Sequence, residues 1–361
     1  MAARQNDGPS RSKVLGHAAA LGMALARTAL QDAHDGNPAT IRQARQERGR
    51  GREADAPGQV PLRGWKDILW RTAKEFSEDN VFSVAAGVTF YTLLAIFPAL
   101  GALISLYGLF ADPVIVSQHL DNLRGLLPGG AMDILGGELK RITGQRSSAL
   151  GIGFFIGLAT AVWSASAGVK AMFEALNIVY EEQEKRGFFK RIALALFFTI
   201  LGVLFMLLSL AMVVALPIAL NFVGLGDLAA TLTLVLRWPL LFLVTTLVMA
   251  FLYRYGPSRR LARWRWLTWG SVGAALLWVV TSLLFSWYVQ NFGSYDKTYG
   301  SLGAVIGFMT WIWLSTSIFL AGGELNAEIE HQTLKDSTVG RPKPMGRRGA
   351  RMADTVGPKV S

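Results

Sequence analysis

VFSVAAGVTFYTLLAIFPALGALISLYGLFA, residues 81–111, holds no charged side chain. About twenty apolar residues in a helix cross the hydrocarbon core of a bilayer, because each residue rises about 1.5 Å and the core is about 30 Å thick. Working outward, residues 147–169, 192–226, 228–253, 266–295 and 298–323 meet the same length, and Arg237 is the one charge within them. The expected fold class is therefore all-α: a polytopic membrane protein with six transmembrane helices.

The remaining sequence fits that frame. The chain has 361 residues, is 52% hydrophobic and 17% charged, and carries a net charge of +11. The charges gather at the ends and in particular connections rather than being spread evenly. Anionic lipid headgroups account for the positive balance, so no nucleic-acid partner is expected. With no cysteine in the chain, disulfides and thiolate metal sites are excluded. The early apolar run at 14–30 is interrupted by His17 and Arg27, so no signal peptide is expected and the first span directs insertion.

Residues 1–60 are too polar to bury much surface and read as a disordered basic region. Within 61–80, Trp65, Leu69, Ala73 and Phe76 recur at helical spacing while Lys66, Arg71 and Lys74 fall elsewhere. That pattern predicts an amphipathic helix lying in the headgroup region. The membrane domain spans 81–330, and 331–361 reads as a disordered basic tail. In the first external connection, 114–123 and 131–142 have helical spacing on either side of Leu-Pro-Gly-Gly at 127–130. Two short amphipathic helices over the outer mouth are expected there. Internal repeats of the kind found in many transporters are not visible.

Lys and Arg set the orientation. The basic connections carry Arg63, Lys66, Arg71 and Lys74; then Lys185, Arg186, Lys190 and Arg191; then Arg254, Arg259, Arg260, Arg263 and Arg265. Lys335, Arg341 and Lys343 begin a basic tail. The intervening connections are nearly neutral for their length. Both termini are expected in the cytoplasm, with anionic headgroups as partners at that face.

Convergent titratable groups, the usual sign of an enzyme, are lacking. His17, His34, His119 and His331 have no metal-ligand spacing, and no nucleophile elbow or phosphate loop is present. No catalytic residue, metal or cofactor is expected. Charge near the membrane is more informative. Arg237 is read as snorkelling to the outer headgroups beside Trp238. Lys170 and Glu174 have the spacing of a local ion pair. Glu324 and Glu328 lie one turn apart after Gly322–Gly323. Either they meet basic side chains from the connections after spans two and four, or they form a cation or proton gate. Pro98 and Pro217 are expected to kink their spans. Gly153/Gly157 and Gly303/Gly307 are expected at helix–helix contacts, and Trp65, Trp264, Trp266 and Trp287 at the interfaces.

Three motifs then stand in order: AAGVTFYTLLAIFPAL at 85–100, WSASAGVKAMFEALNIVYEEQEKRGFFKRI at 163–192, and YGSLGAVIGFMTWIWLSTSIFLAGGELNAEIE at 299–330. They resemble the YihY/BrkB family over roughly residues 62–332. The resemblance implies a six-span protein of the bacterial cytoplasmic membrane and brings two labels, virulence factor and ribonuclease BN. The nuclease of that name belongs to a metal-dependent hydrolase fold with a histidine-rich signature that this sequence lacks. Tyr91, Pro98, Asn177, Gly300, Gly323, Glu324 and Asn326 match the family motifs.

The reading is a transporter or flippase-like protein of unknown substrate. Tyr91, Pro98, Asn177, Glu324, Asn326 and Glu328 are its candidate pathway or gate residues. The alternative is a non-transporting scaffold or envelope-integrity factor. Protein partners and self-association are left open by the sequence.

Overall fold

The structure, a computed structural model, describes residues 38–110, 150–210, 226–292 and 301–360; within these, the side chains of 96–110, 150–158, 205–210 and 226–238 and scattered others fall outside the description, so the expected contact at Gly153/Gly157 does too. The expected external helices at 114–123 and 131–142, and Pro217, lie outside the described residues.

The regular elements of the described chain are helices, with no strand among the described residues. Two helices precede the long ones: α1 (Pro38–Gln46) and α2 (Leu62–Glu78). Six long helices follow where the uncharged stretches fall: α3 (Val81–Phe110), α4 (Leu150–Val179), α5 (Phe188–Leu210), α6 (Gly226–Tyr255), α7 (Trp264–Phe292) and α8 (Ser301–His331). A single turn, α9 (Arg351–Asp354), lies in the tail. Within α7 and α8, Trp264–Val289 and Val305–His331 are long and apolar enough to cross a membrane. Val81–Ala95 and Phe242–Tyr255 are shorter apolar stretches.

Helix α8 is the centre of the bundle, packing against α2, α3, α4, α7 and α9. Its core partners include Val81 and Ala85 of α3, Leu176 and Val179 of α4, Tyr253 of α6 and Ala274 of α7. The tightest crossing is between α7 and α8. A Cβ on Gly270 would stand 2.3 Å from the Gly322 carbonyl oxygen, and one on Gly322 would stand 2.5 Å from Ala274 Cβ. Only glycine admits backbones this close. No described residue supplies the contact expected at Gly307, where a Cβ meets nothing within 4 Å. Spacing of small residues names a groove in a helix without saying which groove is filled.

Large apolar side chains point outward along the spans. Leu204 of α5, Leu243 of α6, Leu284 of α7 and Ile306 of α8 are each about half exposed, at 56%, 54%, 61% and 48%. Water would penalise that belt, whereas hydrocarbon solvates it at no cost.

Two corners are made by non-glycine residues with positive φ. Asn80 (φ 50) separates α2 from α3, and its carbonyl accepts from the Ser83 and Val84 amides. Asparagine tolerates this region better than most side chains. Glu181 (φ 49) ends α4, where the Glu182 amide returns 2.7 Å to the Asn177 carbonyl.

Parts of the two regions expected to be disordered fall within the described residues. Residues 47–60 and 332–360 form turns packed under the ends of α2 and α8. Arginine supplies what apolar residues do not. The Arg348 guanidinium donates to the carbonyls of Leu334 at 2.7 Å, Lys335 at 3.0 Å and Ala353 at 2.6 Å. Arg52 donates to the carbonyls of Gln332 at 3.2 Å and Gly357 at 2.7 Å. One fork of five donors can satisfy several loop carbonyls at once, a source of order that hydrophobicity does not register.

Candidate functional site

The sequence GGELNAEIEH, Gly322–His331, closes α8 at the basic end of the bundle and sends side chains to three neighbours. Glu324, Asn326, Glu328 and Glu330 are each 0–1% exposed. The 3.6-residue turn separates them.

Glu328 faces α2. Its carboxylate accepts from Arg71 Nε, and His331 Nδ1 lies 3.3 Å from its other oxygen. Arg71 also donates to Gln332 Oε1 at 2.7 Å and to the Pro358 carbonyl at 2.9 Å, so one guanidinium joins α2, α8 and the tail. Glu330 faces the α6–α7 connection, where Arg259 Nη1 lies 3.3 Å away and the Ser337 hydroxyl donates at 2.8 Å. The Arg259 guanidinium sits 4.3 Å from the Tyr180 ring centroid. Asn326 faces α7 and accepts from the Gly270 amide at 2.9 Å, and its own NH2 has no partner.

Glu324 differs from the others. Both of its carboxyl oxygens are buried and accept from no described amide, hydroxyl or cation, and the one side chain within hydrogen-bonding reach among its titratable neighbours is the Asp79 carboxyl. Its strongest titratable neighbour is Asp79, the residue that ends α2, followed by Glu328 and Glu75. Burial pushes the Asp79 carboxyl up to about 6, with the Glu324 carboxyl opposing the shift and Glu75 and Glu181 adding to it. The nearby cations are engaged elsewhere: Arg71 holds Glu328, and Lys74 lies 3.0 Å from Glu78 and 3.4 Å from Glu75. Helix α8 thus ends in two matched acid–base pairs and one unmatched acidic pair.

Asn177 anchors a separate network. Its Oδ1 accepts from the Ser258 amide at 2.7 Å, and its Nδ2 donates to Glu184 at 3.2 Å. The Arg186 guanidinium, 2.7 Å from Glu184, holds that carboxyl down at about 2. This ties the α4–α5 turn to the α6–α7 turn. Tyr91 is 48% exposed on the outer face of α3, apart from the α8 cluster. Helix α3 continues through Pro98, whose side-chain surroundings fall outside the description. The structure therefore brings Glu324 and Glu328 together, sets Asn326 around the helix from them, and places Asn177 and Tyr91 elsewhere.

Several pairings differ from those read in the sequence. The basic partner of Glu328 comes from α2 and not from a connection between spans. Glu174 meets Arg191 instead of Lys170, whose ammonium lies 5.1 Å from the Trp163 ring centroid. Trp266 is fully buried with Ile68 and Ile329 instead of lying at an interface. On α2 the inward residues include Asp67 and Arg71, while Leu62, Leu69 and Trp70 face out. Asp67 and Asp79 carry no spacing or motif in the sequence that marks them. Asp67 binds Arg50 Nη1 at 2.6 Å and accepts from the Val360 amide at 3.0 Å. Nothing in a helical wheel distinguishes an acid that packs inward against a distant arginine from one that is solvated.

A family model described as Virulence factor BrkB matches residues 72–345. A Bacillus subtilis protein named as ribonuclease-like, YfkH, is 32% identical over 249 residues, covering 68% of this chain and 88% of that protein. A UPF0761 membrane protein of Rhodospirillum centenum is 26% identical over 83% of this chain and 64% of its own length. One from Haemophilus influenzae is 24% identical over 75% of this chain and 97% of its own. Several of the longer relatives thus extend well beyond the part this chain matches. No solved structure matches.

Proposed function

The chain belongs to the virulence factor BrkB family of membrane proteins, and we propose that it works as a transporter or flippase-like protein. The observation that carries this reading is Glu324. A carboxyl buried beside another acid, with no described cation, hydroxyl or amide donating to it, is costly in its ionised form because it loses its hydration. An ionisable group kept in such a place at a span end is a hypothesis of function by default. Opposite the Asp79 carboxyl, it forms a pair of acids suited to share or exchange a proton or to meet a cation.

The proposal includes six crossings of the bacterial cytoplasmic membrane with both termini inside. The exposed face of α2, with Leu62, Leu69 and Trp70 beside Arg63 and Lys66, would lie among anionic headgroups there. A reporter fused within 256–263 and found outside the cell would refute that orientation. The test of function is flux: purified protein in proteoliposomes, assayed for ion, solute and lipid movement with and without a pH gradient. Transport of at least one class is expected, and no flux above empty vesicles across the panel would overturn the reading.

A second reading, a non-transporting scaffold, is favoured by one feature. The basic end is closed by the Arg71–Glu328 and Arg259–Glu330 pairs and by the tail segment Gly357–Val360, whose first amide donates to the His331 carbonyl at 2.9 Å. Absent flux together with specific capture of a membrane partner through that end would support it. The ribonuclease-like name belongs to the relative. We expect no RNA cleavage by this chain, and metal-loaded purified protein acting on a structured RNA would show otherwise.

A further inference from the structure

Between α4, α6, α7 and α8 lies a cavity of about 920 Å³. Its wall includes Met172, Phe242, Met249, Trp278, Thr316 and Phe319. No charged residue is among the described residues that line it. The polar atom of Trp278 is already satisfied, its indole N–H donating to Ser315 Oγ at 2.9 Å. Leu276 and Leu283 stand at the rim of the same cavity and are 57% and 54% exposed, whereas Met249 and Phe319 in its depth are 7% and 5% exposed. The cavity is thus a cleft that opens sideways through the apolar belt. Pro239 of α6 also lines it, and a proline within a helix cannot donate to the preceding turn and bends the helix locally.

Water gains too few partners on such a wall to fill it, and a space of this size does not stay empty beside fluid hydrocarbon. A hydrated ion or polar solute would meet no compensating charge among the described lining residues. We propose that this cleft binds an acyl chain of a bilayer lipid, which enters laterally between α6 and α7. The floor of the cleft fits this assignment. Phe319 stacks on Tyr253 with ring centroids 4.7 Å apart, and the Tyr253 hydroxyl donates 2.6 Å to the Phe319 carbonyl. Five residues further along α8, about 8 Å by helical rise, is Glu324. A chain held in the cleft therefore lies one and a half turns from the unmatched acids, with an aromatic layer between.

The test reads occupancy and not flux, so its failure is distinct from a failure of the transport reading. Protein in nanodiscs is irradiated with a phosphatidylcholine carrying a diazirine midway along one acyl chain, and the adducts are mapped by mass spectrometry. Adducts are expected on Met249 and Phe319, which a lipid confined to the outer surface does not reach. Ser282→Trp, which fills the cleft, lowers them by about tenfold, or about 1.4 kcal/mol of binding. Leu284→Trp, on the outward face of the same helix, leaves them unchanged. Labelling restricted to outward residues such as Leu243, Leu247 and Leu284 in the wild type would overturn the proposal even if the Ser282 variant failed to fold. Undiminished labelling of Met249 and Phe319 in a folded Ser282 variant would overturn it equally.

Discussion

Replacing Arg71 with methionine removes the most connected side chain at the basic end. Arg71 is 2% exposed and contacts Glu328, Gln332 and the carbonyls of Glu328 and Pro358. Methionine fills much of the same space, so packing loss is small and the charge effect dominates. Glu328 keeps only His331, at 3.3 Å, as an opposite charge, and only while that histidine is protonated. Breaking a buried ion pair from one side costs about 3–5 kcal/mol, because the surviving charge is stranded away from water. For a chain of this size that corresponds to a fall in Tm on the order of 10 °C. The same substitution frees the Pro358 carbonyl, so a protease cutting after Lys359 should act faster. Removing both charges, in Arg71→Met with Glu328→Leu, should recover most of the loss, since paired apolar replacements of buried ion pairs are often neutral. The assay is thermal unfolding in detergent. A shift under about 2 °C for the single variant, or a double variant as unstable as the single, would refute the reasoning.

Other predictions follow the same logic. The Asp79 carboxyl is pushed from 3.8 up to about 6, so the folded state holds its proton more tightly than the unfolded state. Its charged form therefore costs nothing below about pH 4, and the cost grows as pH rises through 6, so Asp79→Asn should stabilise at pH 7.5 by up to about 3 kcal/mol and have no effect at pH 4. Equal effects at both values would be a failure. Gly270→Ala puts a methyl 2.3 Å from the Gly322 carbonyl oxygen and should destabilise by about 1–3 kcal/mol, while Gly307→Ala, facing open space, should be neutral or better. Thermal scans of the two alanine variants in parallel check this. Asn177→Ala orphans the buried Ser258 amide and should cost about 1–3 kcal/mol by the same measurement.

Helix positions were legible in the sequence because they depend on one-dimensional patterns. Uncharged length located the six long helices to within a few residues at most of the ends compared. Pairings were less legible, because they depend on which helix faces which. Glu328 and Arg71 are 257 residues apart, and no local spacing joins them. The outward stripe of α2 was visible in Leu69 and Ala73, yet Asp67 and Arg71 on the inward side are polar because their partners come from Arg50, Glu328 and the tail. For the same reason the tail could not be read from its composition: Arg348 and Asp354 order it through backbone groups. Glu324 stood out in the sequence through its spacing from Glu328. That one glutamate is matched and the other is not follows only from the three-dimensional arrangement.

The central claim is that the unmatched carboxyl of Glu324 works in transport while the matched carboxyl of Glu328 holds the fold. It is tested most directly by flux through proteoliposomes containing wild type, Glu324→Gln or Glu328→Gln, with each variant's Tm measured alongside. The account predicts that Glu324→Gln keeps or raises the Tm and loses flux, and that Glu328→Gln lowers the Tm. A folded Glu324→Gln protein with wild-type flux at every pH would contradict it.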